Sequence, residues 1–212
     1  MNLIFDYDGT LHDCMKIYGP AFRRAYAHLV ALSLAEDRAW QEHEISQWLG
    51  VNPKEMWVRF MPSLPQRYKE ECSQIVGEET LRLVREGHAR LYPQAQRVLE
   101  TLRQSHTLIF LSNCNRAYLR ANREQFRLEQ YFSAFYCAEE FGYRPKHEIF
   151  SAIKEAFPGE FVVIGDRFHD MEIARKHGLK AIGCAYGYGK PQELAGADFI
   201  ASSVEEILDF RF

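Results

Sequence analysis

MNLIFDYDGTLHD, residues 1–13, is the stretch of sequence that decides the fold. A short apolar run there ends in Asp6 and Asp8, and a Gly9-Thr10 turn follows at once. If the apolar run is a buried strand, side chains two positions apart point the same way, so both carboxylates lie at its C-terminal end. Two carboxylates in one small space repel each other, and they persist when a cation binds them or when one keeps its proton.

Further apolar runs indicate a parallel sheet. Runs like the first occupy residues 107–111, 134–138 and 161–165, and shorter ones occupy 180–184 and 198–201. Unbroken apolar runs, as opposed to alternating ones, are typical of strands that are buried on both faces. Helical patterns lie between them, at residues 94–104, 115–126, 146–157 and 170–177. This alternation predicts an α/β fold whose reactive crevice lies beyond the carboxyl ends of the strands.

Residues 14–89 differ from the rest of the chain. They contain no convincing strand pattern, and apolar positions such as Phe22 and Leu29 recur at helical spacing. We therefore predict two domains, an α/β core of residues 1–13 and 90–212 and an inserted all-α cap of residues 14–89. The three tryptophans of the cap, Trp40, Trp48 and Trp57, are expected to pack in its interior.

Composition excludes several classes of function. The 212 residues carry a net charge of −3, which argues against a protein that binds nucleic acid by neutralising phosphates. Five scattered cysteines without a CxxC pair indicate reduced thiols and argue against a structural zinc site. No apolar run approaches the ~20 residues that a membrane helix needs. Since the first strand begins next to Met1, we expect no signal peptide and a cytoplasmic protein.

Polar side chains interrupt the apolar pattern at the ends of four predicted strands. They are Asp6 and Asp8, then Ser112 and Asn113, then Lys146, and finally Asp166 and Asp170. In a parallel sheet these strand ends converge on one crevice. The residue types fit phosphoryl transfer, in which an attacking carboxylate meets about 4 kcal/mol of repulsion from each phosphate charge at ~4 Å. Positive charge must offset that repulsion.

Each of these residues has a role in such a reaction. Asp6 and Asp166 would hold Mg²⁺, which prefers oxygen ligands, and Lys146 would add a second cation. Ser112 and Asn113, with backbone N–H groups near a helix start, would grip phosphoryl oxygens. Asp6 would become an aspartyl-phosphate. Asp8 would protonate the leaving oxygen and later take a proton from the attacking water.

The four motifs, in this order, resemble those of the haloacid dehalogenase superfamily. They are DxDGT, a hydrophobic-Ser-Asn strand end, a lone lysine and GDxxxD, and the helical insert and the tail from Tyr186 resemble the phosphoglycolate-phosphatase-like branch. The resemblance implies a Rossmann-like core with a helical cap. It makes Asp6 the nucleophile and Asp8 the acid and base. It also implies that Asp166 and the Asp8 carbonyl ligate Mg²⁺, with Asp170 supporting through water.

Some positions admit two interpretations. In this branch the third-motif cation aligns with Arg144 or with Lys146, and we favour Lys146, since the fork of an arginine does not replace a lysine point charge. Asp166 and Asp170 would alternatively cap the helix that follows, and we favour the metal. His12 and His169 flank active loops and are interpreted as bystanders. The segment GYGK at residues 187–190 is interpreted as a turn, since it lacks the spacing of a phosphate-binding loop.

These observations predict a Mg²⁺-dependent phosphomonoester hydrolase of a small phosphorylated metabolite. A phosphomutase of the β-phosphoglucomutase type shares the four motifs, and a non-catalytic protein of the same fold is an alternative from another class. Specificity is expected on the cap, around Gly50-Val51-Asn52. Arg23 and Arg24, on a cap helix, are candidates to meet an anionic substrate, and at least one of them is expected to face water. The sequence predicts no nucleic-acid or membrane partner, and it leaves the substrate and the oligomeric state open.

Overall fold

One parallel sheet forms the centre of the molecule. The computed structural model describes residues 1–51 and 53–212, without the side chains of residues 53–55. Its strands are β1 Asn2–Phe5, β2 Thr107–Ser112, β3 Ala134–Cys137, β4 Phe161–Gly165, β5 Lys180–Cys184 and β6 Phe199–Ala201. They are ordered β3-β2-β1-β4-β5-β6, and every neighbouring pair is parallel. The predicted α/β fold with a parallel sheet is confirmed.

The strands form where they do because their side chains are buried on both faces of the sheet. Leu3, Phe5 and Phe110 belong to the apolar layer on one face, whereas Ile4 and Ile109 belong to the layer on the other. This two-sided burial is the physical reason for the unbroken apolar runs. Phe5 is in register with Phe110 of β2 and with Ile164 of β4. The carboxyl ends of the three central strands therefore lie side by side.

Four core helices connect the strands. They are α5 Ala95–Leu102, α6 Arg116–Phe126, α7 Lys146–Ile153 and α8 Phe168–His177. The predicted helix 146–157 is α-helical only as far as Ile153 and ends in the 3₁₀ turn Lys154–Ala156. α8 begins two residues before the predicted position, because Asp170 accepts a hydrogen bond from the N–H of Arg167 and so lies inside the first turn.

The segment between β1 and α5 is helical, as predicted. It contains α1 Met15–Ala31, α2 Glu42–Ser46, α3 Pro53–Phe60 and α4 Gln66–Arg85. These helices enclose an apolar cluster of their own, in which Phe22 stacks on Trp57 at 5.9 Å and meets Trp40 edge-on at 5.4 Å. The chain thus has an all-α cap on its α/β core, while the exact domain borders stay a prediction. In the described part of the chain, no helix is both long and apolar enough to cross a membrane.

Candidate active site

A buried ion group lies at the carboxyl end of the central strands. Asp6 directly follows β1, and its N–H donates to the carbonyl of Ile164 at the end of β4. Lys146 is the first residue of α7, and its Nζ donates to Asp6 Oδ1 at 2.6 Å and to Asp170 Oδ1 at 2.7 Å. The lysine is only 3% exposed, whereas Arg144 is an exposed residue. Of the two candidate cations, Lys146 is therefore the one that lies in the site.

Three carboxylates meet around this lysine. Oxygen atoms of Asp6, Asp166 and Asp170 all lie within 4.8 Å of one another, and the three side chains are buried. Asp166 Oδ2 accepts a hydrogen bond from the N–H of Tyr188 at 2.7 Å, but its Oδ1 has no hydrogen-bond partner among the described residues. A buried carboxylate oxygen without a partner is costly. A hard divalent cation, which prefers oxygen ligands, fits this arrangement.

The pKa values of these groups reflect the excess of negative charge. Burial, and then the neighbouring charge of Asp170, raise the pKa of Asp6 to about 7 despite the opposing effect of Lys146. Burial and the charge of Asp6 also raise the pKa of Asp166 well above its ordinary value. Burial alone would lower the pKa of Lys146, but Asp170 and Asp6 together raise it. One lysine therefore does not balance the three carboxylates, and a second positive charge would favour their ionised forms.

Glycines allow the backbone to close around Asp166. Gly9 has φ +90°, and a Cβ at this position would lie 2.9 Å from Asp166 Oδ1 and closer still to Oδ2. A Cβ at Gly187 would lie 2.5 Å from both Asp166 Oδ2 and the carbonyl oxygen of Gly9. A Cβ at Gly189 would be 3.0 Å from the carbonyl carbon of Asp166. Residues 187–190 thus form a turn, as predicted, but one that wraps a predicted metal ligand. In the sequence, the pair Gly187 and Gly189, separated by one residue, was the feature that could have indicated this close approach of the backbone.

Asp8 is held by two residues that sequence reasoning missed. Its Oδ1 accepts a hydrogen bond from Tyr118 Oη at 2.7 Å and lies 2.8 Å from Nδ1 of His12. His12 is fully buried and stacks on Tyr7 with ring centroids 5.0 Å apart. His12 does not line the cavity, but it contacts the predicted acid and base, which its interpretation as a bystander did not anticipate.

Ser112, Asn113 and the cap enclose a cavity above the ion group. Ser112 and Asn113 line it together with Asp6, Asp8 and Lys146, so the first three motifs meet there. Its volume is about 170 Å³. The fourth motif approaches through Asp166 and Asp170, whose carboxylate oxygens lie within 4.8 Å of an oxygen of Asp6. The structure therefore brings all seven predicted site residues together.

The cap loop predicted to set specificity is fastened to the core. Asn113 Nδ2 donates to the carbonyl of Gly50 at 3.2 Å. The guanidinium of Arg167 donates to the carbonyl of Leu49 and, through Nε, to Glu193 at 2.9 Å. Gly50 and Val51 line the cavity, whereas Asn52 lies outside the described residues. Arg167, which follows the predicted metal ligand Asp166, was not predicted to contact the cap.

Two other residues near the site have neutral side chains. Burial raises the pKa of the Cys114 thiol well above its ordinary value, which agrees with a passive thiol next to the second motif. Burial lowers the pKa of His169 to about 4. The imidazole of His169, which lines the cavity, is therefore neutral near pH 7.

Comparison with known proteins identifies the family. A family model described as haloacid dehalogenase-like hydrolase matches residues 1–178, which include all four motifs. The chain belongs to this family. Among solved structures, a haloacid dehalogenase-like family protein from Streptococcus pneumoniae has a TM-score of 0.81 at 23% identity, with 98% of this chain and 96% of that chain covered. A predicted phosphoglycolate phosphatase from Haemophilus somnus gives the same TM-score at 21% identity and the same coverage. The predicted haloacid dehalogenase fold is confirmed.

Curated relatives within the haloacid dehalogenase family carry phosphatase names. A 5'-nucleotidase of Pseudomonas aeruginosa is 28% identical over 207 residues, which cover 91% of this chain and 86% of that protein. A phosphoglycolate phosphatase of Vibrio parahaemolyticus is 23% identical, with 98% of this chain and 94% of that protein covered. The prediction of an enzyme of the phosphatase class is confirmed at the level of the family.

Proposed function

We propose that this protein is a Mg²⁺-dependent phosphomonoester hydrolase that acts on a small phosphorylated metabolite through an aspartyl-phosphate. The observation that carries the proposal is the buried group in which Lys146 joins Asp6 to Asp170 while Asp166 keeps an unpartnered oxygen. A nucleophilic carboxylate, a fixed cation and an incomplete set of oxygen ligands are the groups that this reaction requires.

The chain's own residues would perform the reaction in two steps. A carboxylate oxygen of Asp6 attacks phosphorus, the ester P–O bond breaks, and Asp8 gives its proton to the leaving oxygen. A water molecule then loses a proton to Asp8 and attacks phosphorus, the P–O bond to Asp6 breaks, and inorganic phosphate leaves while the Asp6 carboxylate is regenerated. Ser112 and Asn113 orient the phosphoryl oxygens, and Lys146 keeps Asp6 in place.

Four aspartates would hold the metal. Asp6 and Asp166 would supply carboxylate oxygens, Asp8 would supply its carbonyl oxygen, and Asp170 would support the site. When bound, the divalent ion supplies positive charge that offsets the repulsion between the attacking carboxylate and the phosphate dianion. The acidic residues that surround Asp6 make this second positive charge necessary.

Hydrolysis of p-nitrophenyl phosphate tests the proposal. We expect turnover with Mg²⁺, loss of turnover in EDTA and recovery when Mg²⁺ is returned in excess. Asp6→Asn should reduce kcat by at least about 10³-fold, since it removes the nucleophile. Asp8→Asn should reduce it by about 10²–10⁴-fold while the protein still binds Mg²⁺. The exposed Asp209→Asn is the matched control and should behave like wild type. Well-folded wild-type protein without Mg²⁺-dependent activity would contradict the proposal.

Phosphate release separates the hydrolase from the alternative phosphomutase. A hydrolase passes the phosphoryl group to water, so inorganic phosphate accumulates as the sugar phosphate is consumed. A phosphomutase returns the group to a sugar, so an isomeric sugar phosphate forms while free phosphate stays constant. We expect release of inorganic phosphate equal to the substrate consumed.

A further inference from the structure

The cap side of the active-site cavity carries no charge. Among the lining side chains that the structure describes, those from the cap are neutral; Ile17, Trp48, Val51 and Val76 are apolar, and Ser73 and Thr80 carry hydroxyls. Thr80 donates its hydroxyl hydrogen to carbonyl oxygens of its own helix at 2.8 and 3.0 Å, and Ser73 donates to the carbonyl of Lys69 at 2.8 Å. The hydrogens of both hydroxyl groups are thus donated within the cap and are not offered to an anion.

The lysine and the arginine that line the cavity in the described part of the chain are already paired. Lys146 is bound by Asp6 and Asp170, and Arg167 is bound by Glu193 and a cap carbonyl. The two cap arginines that the sequence offered for an anionic substrate point elsewhere. Arg23 donates to the carbonyl of Trp40 at 3.0 Å, and Arg24 pairs with Glu79. Among the residues that the structure describes, none would therefore offer an unpaired cation to a second anionic group on a substrate.

Charge and size together define a substrate class. We propose, on the basis of the phosphatase function above, that the substrate is a monophosphate ester whose leaving group is uncharged, small and apolar on the side facing the cap. The cavity of about 170 Å³ is close to the ~150 Å³ of a cavity that accommodates benzene alone, so the leaving group of a phosphate ester must be small. Esters that carry a carboxylate or a second phosphate on the leaving group are rejected.

Matched pairs of esters test this substrate class. Phenyl phosphate is compared with 4-carboxyphenyl phosphate, and ethyl phosphate with phosphoglycolate, which differs from it by a carboxylate in place of a methyl group. Because binding would bury an unpaired charge, kcat/KM should be at least about 100-fold lower for the carboxylated member of each pair. Val76→Lys should raise kcat/KM for the carboxylated ring relative to phenyl phosphate, whereas Val76→Met should not.

The outcomes are distinguishable. Equal kcat/KM within both pairs refutes the charge selectivity and leaves the phosphatase proposal standing. A higher kcat/KM for the carboxylated esters also refutes the charge selectivity. Failure of Mg²⁺-loaded protein to cleave p-nitrophenyl phosphate or any of the four esters overturns the phosphatase proposal and the substrate class with it.

A second inference rests on the contacts of Asp8. Tyr118 and His12 both approach Asp8 Oδ1, and no described residue hydrogen-bonds to its Oδ2. Nε2 of His12 is buried without a partner among the described residues. The hydrogen of the imidazole therefore belongs on Nδ1, where it has an acceptor, because a buried N–H on Nε2 would be unsatisfied.

We infer that Tyr118 and His12 are positioning residues for the acid and base of the reaction. By fixing Oδ1, they turn Oδ2 toward the cavity that Asp8 lines. Oδ2 then delivers the proton to the leaving oxygen as the P–O bond breaks. Proton delivery matters most for an alcohol that leaves poorly and least for one that leaves easily as an anion.

The dependence on the leaving group tests these positioning residues. Tyr118→Phe should lower kcat/KM for ethyl phosphate by about 10–100-fold and for p-nitrophenyl phosphate by less than about 3-fold. His12→Leu should act in the same way, and His12→Asn, whose side-chain N–H reaches the place of Nδ1, should restore most of the loss. Tyr131→Phe, remote from the site, is the control. Equal losses on both esters would indicate a merely structural role and refute the inference, provided that thermal unfolding confirms folded protein.

Discussion

Replacement of Lys146 by methionine provides the sharpest test of the buried ion group. Methionine keeps the length and the apolar stem of the lysine and removes only its charge and its hydrogen bonds. Asp6 and Asp170 would then lie buried without the cation that contacts both of them at 2.6 and 2.7 Å. Asp166, with oxygen atoms within 4.8 Å of theirs, would add to the repulsion.

The expected loss of stability follows from the burial of Lys146 and its two aspartate partners. Removing one partner of a buried ion pair destabilises a protein by about 3–5 kcal/mol, since the remaining charge is left without compensation. For a chain of this length, each kcal/mol lowers Tm by about 2–4 °C, so Tm should fall by about 6–20 °C. The pKa of Asp6, already raised to about 7, would rise further, and uptake of a proton there limits the loss.

Thermal unfolding in EDTA measures this effect without a contribution from metal. Arg144→Met is the matched control, because Arg144 lies two residues before Lys146 and carries a positive charge at an exposed position. Its ΔΔG should stay within about 0.5 kcal/mol, and its activity on p-nitrophenyl phosphate should be that of wild type. Lys146→Met should lose most of that activity. Equal Tm values for the two variants would show that Lys146 does not compensate the buried carboxylates and would refute the reasoning.

Three further changes probe other parts of the structure. Asp166→Asn should abolish the rise in Tm that Mg²⁺ gives to wild type, because it removes charge at the unpartnered Oδ1; an unchanged rise would exclude Asp166 as a ligand. Gly187→Ala should lower the free energy of unfolding in urea by about 1–3 kcal/mol, since its Cβ would lie 2.5 Å from the carbonyl oxygen of Gly9. Gly77→Ala is the control: it has open space around it and should raise the free energy of unfolding by about 0.5–1 kcal/mol. Phe22→Ala should lower the free energy of unfolding by about 3–5 kcal/mol, and amide hydrogen exchange should become faster mainly in α1, α3 and α4. An equal rise in exchange in the α/β core would contradict a separate apolar cluster in the cap.

Much of the architecture was predictable because burial on both faces of a sheet leaves a direct mark on the sequence. Apolar runs at residues 107–111, 161–165 and 180–184 became strands almost without adjustment. The order of the strands could not be read in the same way. Every central strand has the same apolar composition, so composition does not specify which strand lies next to β1.

The site residues that lie at strand ends were predictable from the sequence. Asp6, Ser112 and Asp166 end or directly follow strands, and parallel pairing alone brings them to one edge of the sheet. Tyr118 reaches Asp8 from 110 positions away, and Tyr188 donates its N–H to Asp166 from a loop that follows another strand. Such contacts depend on how helices and loops pack over the strand ends, and no periodicity in the sequence records them.

Asp170 shows why a structural and a functional interpretation of one residue need not compete. Its Oδ2 accepts the N–H of Arg167 and so caps α8, while its Oδ1 accepts from Lys146, the first residue of α7. The two oxygens of one carboxylate thus join the N-terminal turns of two helices at the ion group. Helix N-termini carry partial positive charge, which favours buried carboxylates before any metal binds. The fold itself therefore holds the carboxylates in place, and a cation would enter a site whose geometry is already set.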